Sequence, residues 1–232
     1  MIKVWMVIPA YNEAKHLEKL LLELKSKGLK TLVVDDGSKD QTYNVAVKTS
    51  DVVIKNEKNL GKGMSLRRAI NFLLENEEFD YIITMDADGQ HSVLDLDTFI
   101  KNAASGESFV VGNRMEEPRG MPWIRVVTNK AMSRLLSKIA KQSIPDTQCG
   151  MRLISKDVLE KISFETNNFE FESEILIKAT RAGFTIKSIP IQSIYFRNVK
   201  SRINPFLDTL RFVRFIMSLD EIKNETHHSD TK

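Results

Sequence analysis

The feature that most constrains the fold is a regular alternation of short apolar segments with longer amphipathic ones. Strands are predicted at residues 3–9, 32–34, 52–54, 81–85 and 109–112. Helices are predicted between them: one capped by Asn12 and ended by Gly28, one over 41–49 opened by Ser38 or Asp40, one over 62–75, and one after Ser92. Because strands joined by helices pair in parallel through right-handed crossovers, we expect an α/β fold with a Rossmann-like, mainly parallel sheet flanked by helices.

After Gly112 the alternation becomes less regular, and residues 122–141 read as an amphipathic helix. Its basic stripe would be Lys130, Arg134, Lys138 and Lys141, and its apolar face Ala131, Met132, Leu135, Leu136 and Ile139. A helix is predicted over 171–181, followed by extended segments at 185–189 and 191–196. The helix at 122–141 and the segment 206–219, with Arg211 and Arg214, have the pattern of helices that lie on a membrane surface. Packing of one face against the core, with the other face solvated, explains the same pattern.

Length and composition predict a single domain. A chain of 232 residues with 42% hydrophobic content can bury one substantial core, which we place at residues 1–220, with a polar tail at 221–232. The net charge of +3 is too small for a general nucleic-acid-binding protein. A single cysteine, Cys149, and no apolar N-terminal segment favour the cytoplasm, and no stretch is apolar enough to cross a bilayer.

Two carboxylates follow the predicted strand at 81–85. Asp86 and Asp88 are two residues apart, so in extended chain they project to the same side and can converge on one cation. Ligands of open α/β sheets bind just beyond the carboxyl ends of strands, which is where this pair falls. Mg²⁺ and Mn²⁺ favour such oxygen ligands and often complete their coordination with substrate phosphate and water. A turn built from Asp and Gly is the alternative interpretation.

Further polar motifs end the other predicted strands. Asp35 and Asp36 follow the second strand, where a carboxylate can accept hydrogen bonds from a base or a ribose. The loop 59–63 opens a helix and contains two glycines around Lys62, an arrangement that favours anions. Arg114 follows the fifth strand, where its guanidinium could bind phosphate.

These motifs together resemble a known family. In chain order they are Pro9-Ala10-Tyr11-Asn12-Glu13, Asp35-Asp36-Gly37-Ser38, Asn59-Leu60-Gly61-Lys62-Gly63, Asp86-Ala87-Asp88-Gly89-Gln90-His91 and Asp146-Thr147-Gln148-Cys149-Gly150-Met151-Arg152. The series resembles the family 2 inverting glycosyltransferases of GT-A fold, in particular the branch that transfers mannose or glucose to dolichyl or polyprenyl phosphate. The resemblance covers about residues 2–205.

The resemblance implies specific roles. It implies that Pro9, Tyr11, Glu13, Val34 and Asp36 hold the nucleoside, with Ala87 and Asp88 alongside, and that Asp86, Asp88 and Gln90 surround Mg²⁺ or Mn²⁺ and the diphosphate. Arg114 stands where the family has an arginine near the phosphates, although Asn113 replaces a more usual serine. Arg197 and Arg202 resemble a basic pattern of the lipid-phosphate members, with one residue fewer and no glycine between them. The implied catalytic residues are therefore Asp86, Asp88 and Arg114.

The resemblance also implies the reaction. A hexose would pass with inversion from GDP-mannose or UDP-glucose to a polyprenyl or dolichyl phosphate, at the cytoplasmic face of a membrane, through peripheral contact or a membrane-protein partner. A lipid phosphate is already ionised, whereas a hydroxyl acceptor on a glycan or small molecule would need a general base. Candidates for that base are Glu170, Glu172, Glu174 and Asp146. The rival classes are a nucleotidyltransferase, which would be expected to have a glycine-rich basic loop after the first strand, and a non-catalytic nucleotide-sugar-binding protein.

Overall fold

The structure is a computed structural model that describes residues 2–118, 120–164, 170–192 and 194. The strands are β1 (Val4–Ala10), β2 (Lys30–Asp35), β3 (Val52–Lys55), β4 (Tyr81–Thr84), β5 (Phe109–Asn113), β6 (Arg152–Ser155) and β7 (Ile186–Pro190). The helices are α1 (Ala14–Ser26), α2 (Thr42–Thr49), α3 (Lys62–Asn76), α4 (Leu96–Ala104), α5 (Trp123–Ala140), α6 (Lys156–Lys161) and α7 (Glu170–Arg181). A short 3₁₀ turn, Val93–Asp95, precedes α4. The predicted α/β fold is confirmed.

The seven strands form one sheet in the order β3-β2-β1-β4-β6-β5-β7. Strand β6 runs antiparallel to its neighbours β4 and β5, and every other neighbouring pair is parallel. The central strands are buried along most of their length, because parallel strands covered by helices face apolar side chains on both sides. The prediction of a mainly parallel sheet is therefore confirmed.

Strand β6 was not predicted from the sequence. It has only four residues, and no alternating pattern marks it, because all four are buried. Its first residue, Arg152, lies opposite Thr84 at the end of β4. Since β6 is antiparallel, its start and the loop before it reach the edge of the sheet where the parallel strands end.

The start of α1 differs from the prediction. Glu13, not Asn12, is the N-cap residue, and it makes no side-chain cap bond. Asn12 adopts a positive φ of 54°. Its backbone N–H donates to Ser38 Oγ at 2.9 Å, and its Oδ1 accepts from the Lys39 N–H at 2.8 Å. Asn12 therefore joins the loop after β1 to the loop after β2, which is a tertiary contact that a local capping rule does not include.

Helix α5 confirms the helix predicted over 122–141, but its apolar face is arranged differently. Of its apolar residues only Leu136 is fully buried, and Ala131 and Leu135 of the predicted apolar face are exposed. Trp123, with 76% of its surface accessible, Ile124 and Val127 are also exposed. The helix therefore presents apolar side chains to the outside as well as to the core.

Other predicted segments fall partly or wholly outside the described residues. These are the segment 206–219, the tail 221–232, and most of the extended segment 191–196, of which residues 191, 192 and 194 are described and are not in a strand. The compact unit that contains the sheet spans Met1–Phe196, so the predicted domain boundary at residue 220 stays a prediction. Among the described helices, none combines the length and the apolar character that crossing a bilayer requires.

Candidate functional site

Asp86 lies at the centre of a cluster of charged side chains at the carboxyl end of β4. Its Oδ1 is 2.5 Å from Lys62 Nζ, and Lys62 Nζ is also 3.1 Å from Glu172 Oε2. Lys62 is the first residue of α3 and Glu172 lies in the first turn of α7, so one ammonium joins two helices to the end of a strand. Although burial opposes ionisation, the carboxylates of Asp86 and Glu172 raise the pKa of Lys62 above its ordinary value. Burial also disfavours the charged form of Asp86, yet Lys62 and His91 hold the pKa of this carboxyl well below its usual range.

Asp88 is the second carboxylate after β4, and its pKa is shifted in the opposite direction from that of Asp86. Its Oδ1 accepts a hydrogen bond from the Gln90 backbone N–H at 3.0 Å. Burial, followed by repulsion from Asp86, raises the pKa of Asp88. Asp88 follows Asp86 by two residues, and a cation between the two carboxylates would relieve the repulsion between them.

The donor set of this pair fits a divalent ion bound together with substrate. Within the described ranges no group of three or more His, Cys, Asp or Glu side chains is placed to hold a metal. Two carboxylates suit Mg²⁺ or Mn²⁺ when phosphate oxygens and water supply the other ligands. The Lys62 ammonium beside Asp86 indicates that this carboxylate is suited to a positively charged neighbour.

The loop before β6 packs directly against this cluster. A Cβ atom on Gly150 would overlap Asp86 Oδ2 and lie 2.8 Å from Lys62 Nζ, so only glycine leaves room for both side chains. Thr84 Oγ1 donates to the Gly150 carbonyl at 2.7 Å, which ties this loop to the end of β4. His91 Nε2 lies 3.5 Å from the same carboxylate oxygen, Asp86 Oδ2.

Asp36 binds the loop that opens α3. Its two carboxylate oxygens accept from the backbone N–H groups of Leu60 and Gly61, each at 2.8 Å, and from Asn56 Nδ2 at 2.7 Å. The loop 59–63 was expected to favour anions, with a simple turn as the alternative. In the structure the anion at the N–H groups of Leu60 and Gly61 is the carboxylate of Asp36.

The other residues implied to hold the nucleoside lie at the same edge of the sheet. Pro9 of β1 and Val34 of β2 are direct partners in the sheet register. Val34 is fully buried, so only its backbone could contact a ligand, and Ala87 is also buried. Tyr11 and Glu13 lie in the partly exposed loop after β1, where the Glu13 N–H donates to Thr42 Oγ1 at 2.9 Å.

Arg114 is oriented by Asp146. The Nε and Nη2 atoms of Arg114 donate to the Asp146 carboxylate at 2.7 and 3.0 Å, and the Arg114 backbone N–H donates to it at 3.1 Å. Asp146 is fully buried and also accepts from the Gln148 N–H at 3.2 Å. These contacts favour a positioning role for Asp146 rather than the role of base.

The candidate bases on α7 are distinguished by their surroundings. Glu172 is 16% exposed and contacts Lys62, whereas Glu174 is 1% exposed and forms an ion pair with Lys178 at 2.8 Å. The buried Arg152 supports Glu172: its Nη1 donates to the Glu172 carbonyl at 2.5 Å, and its Nε donates to the Cys149 carbonyl at 2.8 Å. The side chain of Glu170, together with Arg197 and Arg202, lies outside the described residues.

Four residues of the site were not given these roles from the sequence. They are Lys62, His91, Gly150 and Arg152. Each lies within one of the motifs found in the sequence, so the motifs were the available signal. The contacts of Lys62, Gly150 and Arg152 with Asp86 or Glu172 join residues that are far apart in the chain, and no local pattern reports such contacts. His91 lies only five residues after Asp86.

Known proteins resemble the chain in both sequence and structure. An uncharacterised protein of Methanocaldococcus jannaschii is 32% identical over 207 residues, which cover 86% of this chain and 85% of that protein. The UDP-N-acetylglucosamine–dolichyl-phosphate N-acetylglucosaminyltransferase of Methanococcus voltae is 28% identical over 239 residues, 92% of this chain and 95% of the relative.

A solved structure shows the same fold. It is the glucosyl-3-phosphoglycerate synthase of Mycobacterium tuberculosis in complex with Mn²⁺, UDP and glucosyl-3-phosphoglycerate. The similarity has a TM-score of 0.65 and 21% identity, and covers 90% of this chain and 75% of that one. The fold is therefore the GT-A fold.

The family assignment rests on the sequence match. The family model described as glycosyl transferase family 2 matches residues 5–163, which include all five motifs and most of the site. The match covers β1 to α6 and thus the strands whose ends carry Asp36 and Asp86. Together with the sheet topology and the cluster around Asp86, this match shows that the chain belongs to glycosyl transferase family 2 and is a glycosyltransferase of GT-A fold.

Proposed function

We propose that the protein transfers a hexose, with inversion, from GDP-mannose or UDP-glucose to a polyprenyl or dolichyl phosphate. The observation that carries the proposal is the pair Asp86 and Asp88 at the carboxyl end of β4, where Lys62 joins Asp86 to Glu172. Carboxylates at this edge of a parallel sheet are where an α/β protein binds a phosphorylated ligand together with a metal ion.

The proposed metal ligands are Asp86, Asp88 and Gln90, with Mg²⁺ or Mn²⁺ as the cofactor. The ion would supply positive charge to the diphosphate as it leaves the anomeric carbon. Arg114 would add a second positive charge there, since Asp146 fixes the orientation of its guanidinium through two hydrogen bonds. With such an ion and Arg114 offsetting the charge of the diphosphate, no proton transfer to the leaving group would be needed.

The nucleoside would bind beside the ends of β1 and β2. Pro9 and Val34 are neighbours in the sheet, and the loop after β1 adds Tyr11 and Glu13. Asp36 would bind a ribose or base only by giving up a backbone partner or by using a remaining lone pair, since its oxygens already accept three hydrogen bonds. Ala87 lies between the two metal-binding carboxylates, so its backbone would lie beside the donor.

The acceptor is proposed to be a lipid phosphate. The name of the Methanococcus voltae relative supports this, since it identifies dolichyl phosphate as the acceptor of that enzyme. A phosphate nucleophile is ionised at neutral pH and requires no base. Arg197 and Arg202, which lie outside the described residues, would contact a phosphate.

A second candidate is transfer to a hydroxyl group of a glycan or small molecule. It is favoured by Glu172, whose carboxylate is joined to Asp86 through Lys62 and could remove a proton from an acceptor hydroxyl. Glu174 is a weaker candidate because it is buried and paired with Lys178.

Contact with a membrane is part of the proposal. Helix α5 exposes Trp123, Ile124, Val127 and Leu135. Lys130, Arg134 and Lys138 are exposed on the same helix, which contains no acidic residue. Exposed apolar and basic side chains on one helix are typical of peripheral binding to anionic lipid, here at the cytoplasmic face.

A donor and acceptor screen tests the proposed reaction. GDP-mannose, UDP-glucose and UDP-N-acetylglucosamine are each incubated with polyprenyl phosphate or with hydroxyl acceptors, with Mn²⁺ or EDTA, and transfer is measured. We expect transfer to the lipid phosphate that EDTA and Asp88→Asn abolish and that Asp157→Asn, an exposed control, leaves unchanged. Transfer to a hydroxyl alone would favour the second candidate, and metal-dependent binding without any transfer would favour a non-catalytic binding protein.

Vesicle sedimentation tests the membrane contact. We expect the protein to bind vesicles that contain anionic lipid, and the double variant Trp123→Ser and Val127→Ser to lose that binding. Leu22→Ser is the matched control, since Leu22 is 55% exposed on α1. Vesicle binding that does not depend on anionic lipid, or that the double variant retains, would contradict the proposed membrane-binding surface.

A further inference from the structure

We propose that Lys62 is the internal counter-ion of the metal site, and that its ammonium must leave Asp86 when a divalent cation binds there. The inference rests on the proposed function, because it takes Asp86 as a metal ligand. It adds to that function a residue that competes with the cofactor and links its binding to Glu172.

The Lys62 ammonium already occupies one carboxylate oxygen of Asp86. Asp86 Oδ1 is 2.5 Å from Lys62 Nζ, and Asp86 Oδ2 is 3.5 Å from His91 Nε2. Metal–oxygen distances for Mg²⁺ are about 2.0–2.1 Å, so a cation on Oδ1 would lie within about 5 Å of the ammonium, which contacts the same oxygen. Two positive charges at that separation repel each other, and the repulsion is stronger in a partly buried site than in bulk water.

Lys62 is held in place but is not enclosed. Glu172 Oε2 binds its ammonium at 3.1 Å from the side of α7, and Gly150 provides the space in which the ammonium lies. The Lys62 side chain is 21% exposed, so a path to solvent exists. A lysine side chain has four rotatable bonds, and it can move without a change in the backbone of α3.

Displacement of Lys62 would also change Glu172. As long as the ammonium lies between Asp86 and Glu172, it neutralises both carboxylates. If a cation displaced Lys62 from Asp86, the Lys62 ammonium would no longer connect Glu172 to Asp86. Metal binding and the freedom of Glu172 to act on an acceptor are thereby coupled through one side chain.

The competing interpretation is that Lys62 only stabilises the fold. A structural ion pair would reduce stability when removed but would not change the affinity of the protein for a metal ion. Competition between the ammonium and the metal predicts that a variant without the ammonium binds the metal more tightly. The two interpretations therefore differ in an equilibrium that does not involve catalysis.

The test measures Mn²⁺ binding to the full chain without nucleotide, by electron paramagnetic resonance of free Mn²⁺. Lys62→Met keeps the length of the side chain and removes the charge, and we expect its dissociation constant for Mn²⁺ to fall about tenfold. Lys62→Arg keeps the charge and should bind within about twofold of the unaltered protein. The matched control is Lys187→Met, which removes one positive charge from an exposed pair with Glu107 at 2.8 Å and should change nothing.

The outcomes separate this inference from the proposed function. If Lys62→Met binds Mn²⁺ no more tightly than Lys187→Met while Asp88→Asn still weakens binding in the presence of UDP or GDP, the counter-ion role is refuted and the metal site stands. If Asp88→Asn has no effect under any condition, the proposed metal site itself is refuted. If the Lys62→Met variant is unstable in the absence of metal, its melting temperature is measured with and without Mn²⁺. The inference requires that Mn²⁺ raise the melting temperature of the variant more than that of the unaltered protein. A smaller or equal increase overturns it.

Discussion

At the scale of single residues, the site depends on how closely side chains approach Asp86. Lys62 contacts Asp86 directly, and Gly150 makes that contact sterically possible. Asp146 orients Arg114 with two hydrogen bonds to its guanidinium. Residues that touch no ligand themselves thus determine where the charged groups of the proposed site lie.

Gly150→Ala tests this packing. The added methyl group would overlap Asp86 Oδ2, so Asp86 or the loop must move by about an ångström. We expect transfer activity to fall about a hundredfold, since displacement of a reacting or binding group by this amount has such effects. Activity and Mn²⁺ affinity are measured together, and unchanged values for both would contradict the packing.

The control for this variant is Gly106→Ala. Gly106 has a φ of 80°, and a methyl group added there would have no atom within 4 Å, so the change strains the backbone far from Asp86. It should lower the free energy of unfolding by about 1 kcal/mol and leave Mn²⁺ affinity unchanged.

Cys149 provides a test of burial in the same loop. Burial raises the pKa of its thiol to about 12, so almost no thiolate is present at pH 8. We expect labelling by a thiol reagent at pH 8 to be at least about a hundredfold slower in the folded protein than in denaturant. Because the folded pKa lies above pH 8, labelling of the folded protein should accelerate as the pH rises. Equal labelling rates in the folded and denatured protein would show that the loop is open.

At the scale of elements, two connections bring the helices to the ends of the strands. Asp36 binds the backbone of Leu60 and Gly61, which places the first turn of α3 beside β2. Arg152 joins the loop before β6 to the carbonyl of Glu172 on α7. Lys62 and Glu172 face each other because both helices are attached in this way.

Asp36→Asn tests the connection to α3. An amide cannot accept all the hydrogen bonds of a carboxylate with the same strength, so we expect the free energy of unfolding to fall by about 1–3 kcal/mol. Donor affinity, measured by calorimetry, should also fall because Asp36 and the loop it binds lie at the end of β2, where the nucleoside is proposed to bind.

The control for this element is Asp51→Asn. Asp51 Oδ2 accepts from the Thr31 backbone N–H at 2.8 Å and from Thr31 Oγ1 at 3.0 Å, so it makes comparable contacts with a strand. This variant should lower stability by a similar amount and leave donor affinity unchanged. If the two variants affect donor affinity equally, the loop that opens α3 has no special role.

At the scale of the whole molecule, the sheet topology gathers the site at one edge. Strands β1, β2 and β4 are parallel neighbours, so their carboxyl ends lie together, and the antiparallel β6 brings the loop before it to the same edge. Binding there involves several elements at once. Ligand binding should therefore stabilise the described domain as a unit.

Thermal unfolding tests this expectation. With UDP or GDP and Mn²⁺ at about a hundred times their dissociation constants, the free energy of unfolding should rise by about 2.7 kcal/mol. For a chain of this size that corresponds to an increase in melting temperature of roughly 5–10 °C. EDTA should remove most of the increase, and Asp88→Asn should show little of it. An increase that is insensitive to EDTA would mean that nucleotide binds without the metal.

Much of the fold followed from local pattern. The strands at 3–9, 32–34, 52–54, 81–85 and 109–112 were predicted within about two residues, because each is a short apolar run bounded by polar or turn residues. Strand β6 was missed because four buried residues next to a helix carry no periodic signal. The cap of α1 was placed wrongly because Asn12 contacts Ser38 and Lys39 instead of its own helix.

By itself, the sequence determined the alternation of strands and helices, and hence that Asp36 and Asp86 lie at the carboxyl ends of parallel strands. Only the tertiary structure decided which charges meet: Lys62 with Asp86 and Glu172, and Arg114 with Asp146. The physical reason is the distance along the chain over which each kind of interaction acts. Strand and helix patterns arise from neighbours within one or two turns, whereas these ion pairs form only when elements distant in the chain pack within a few ångströms of each other.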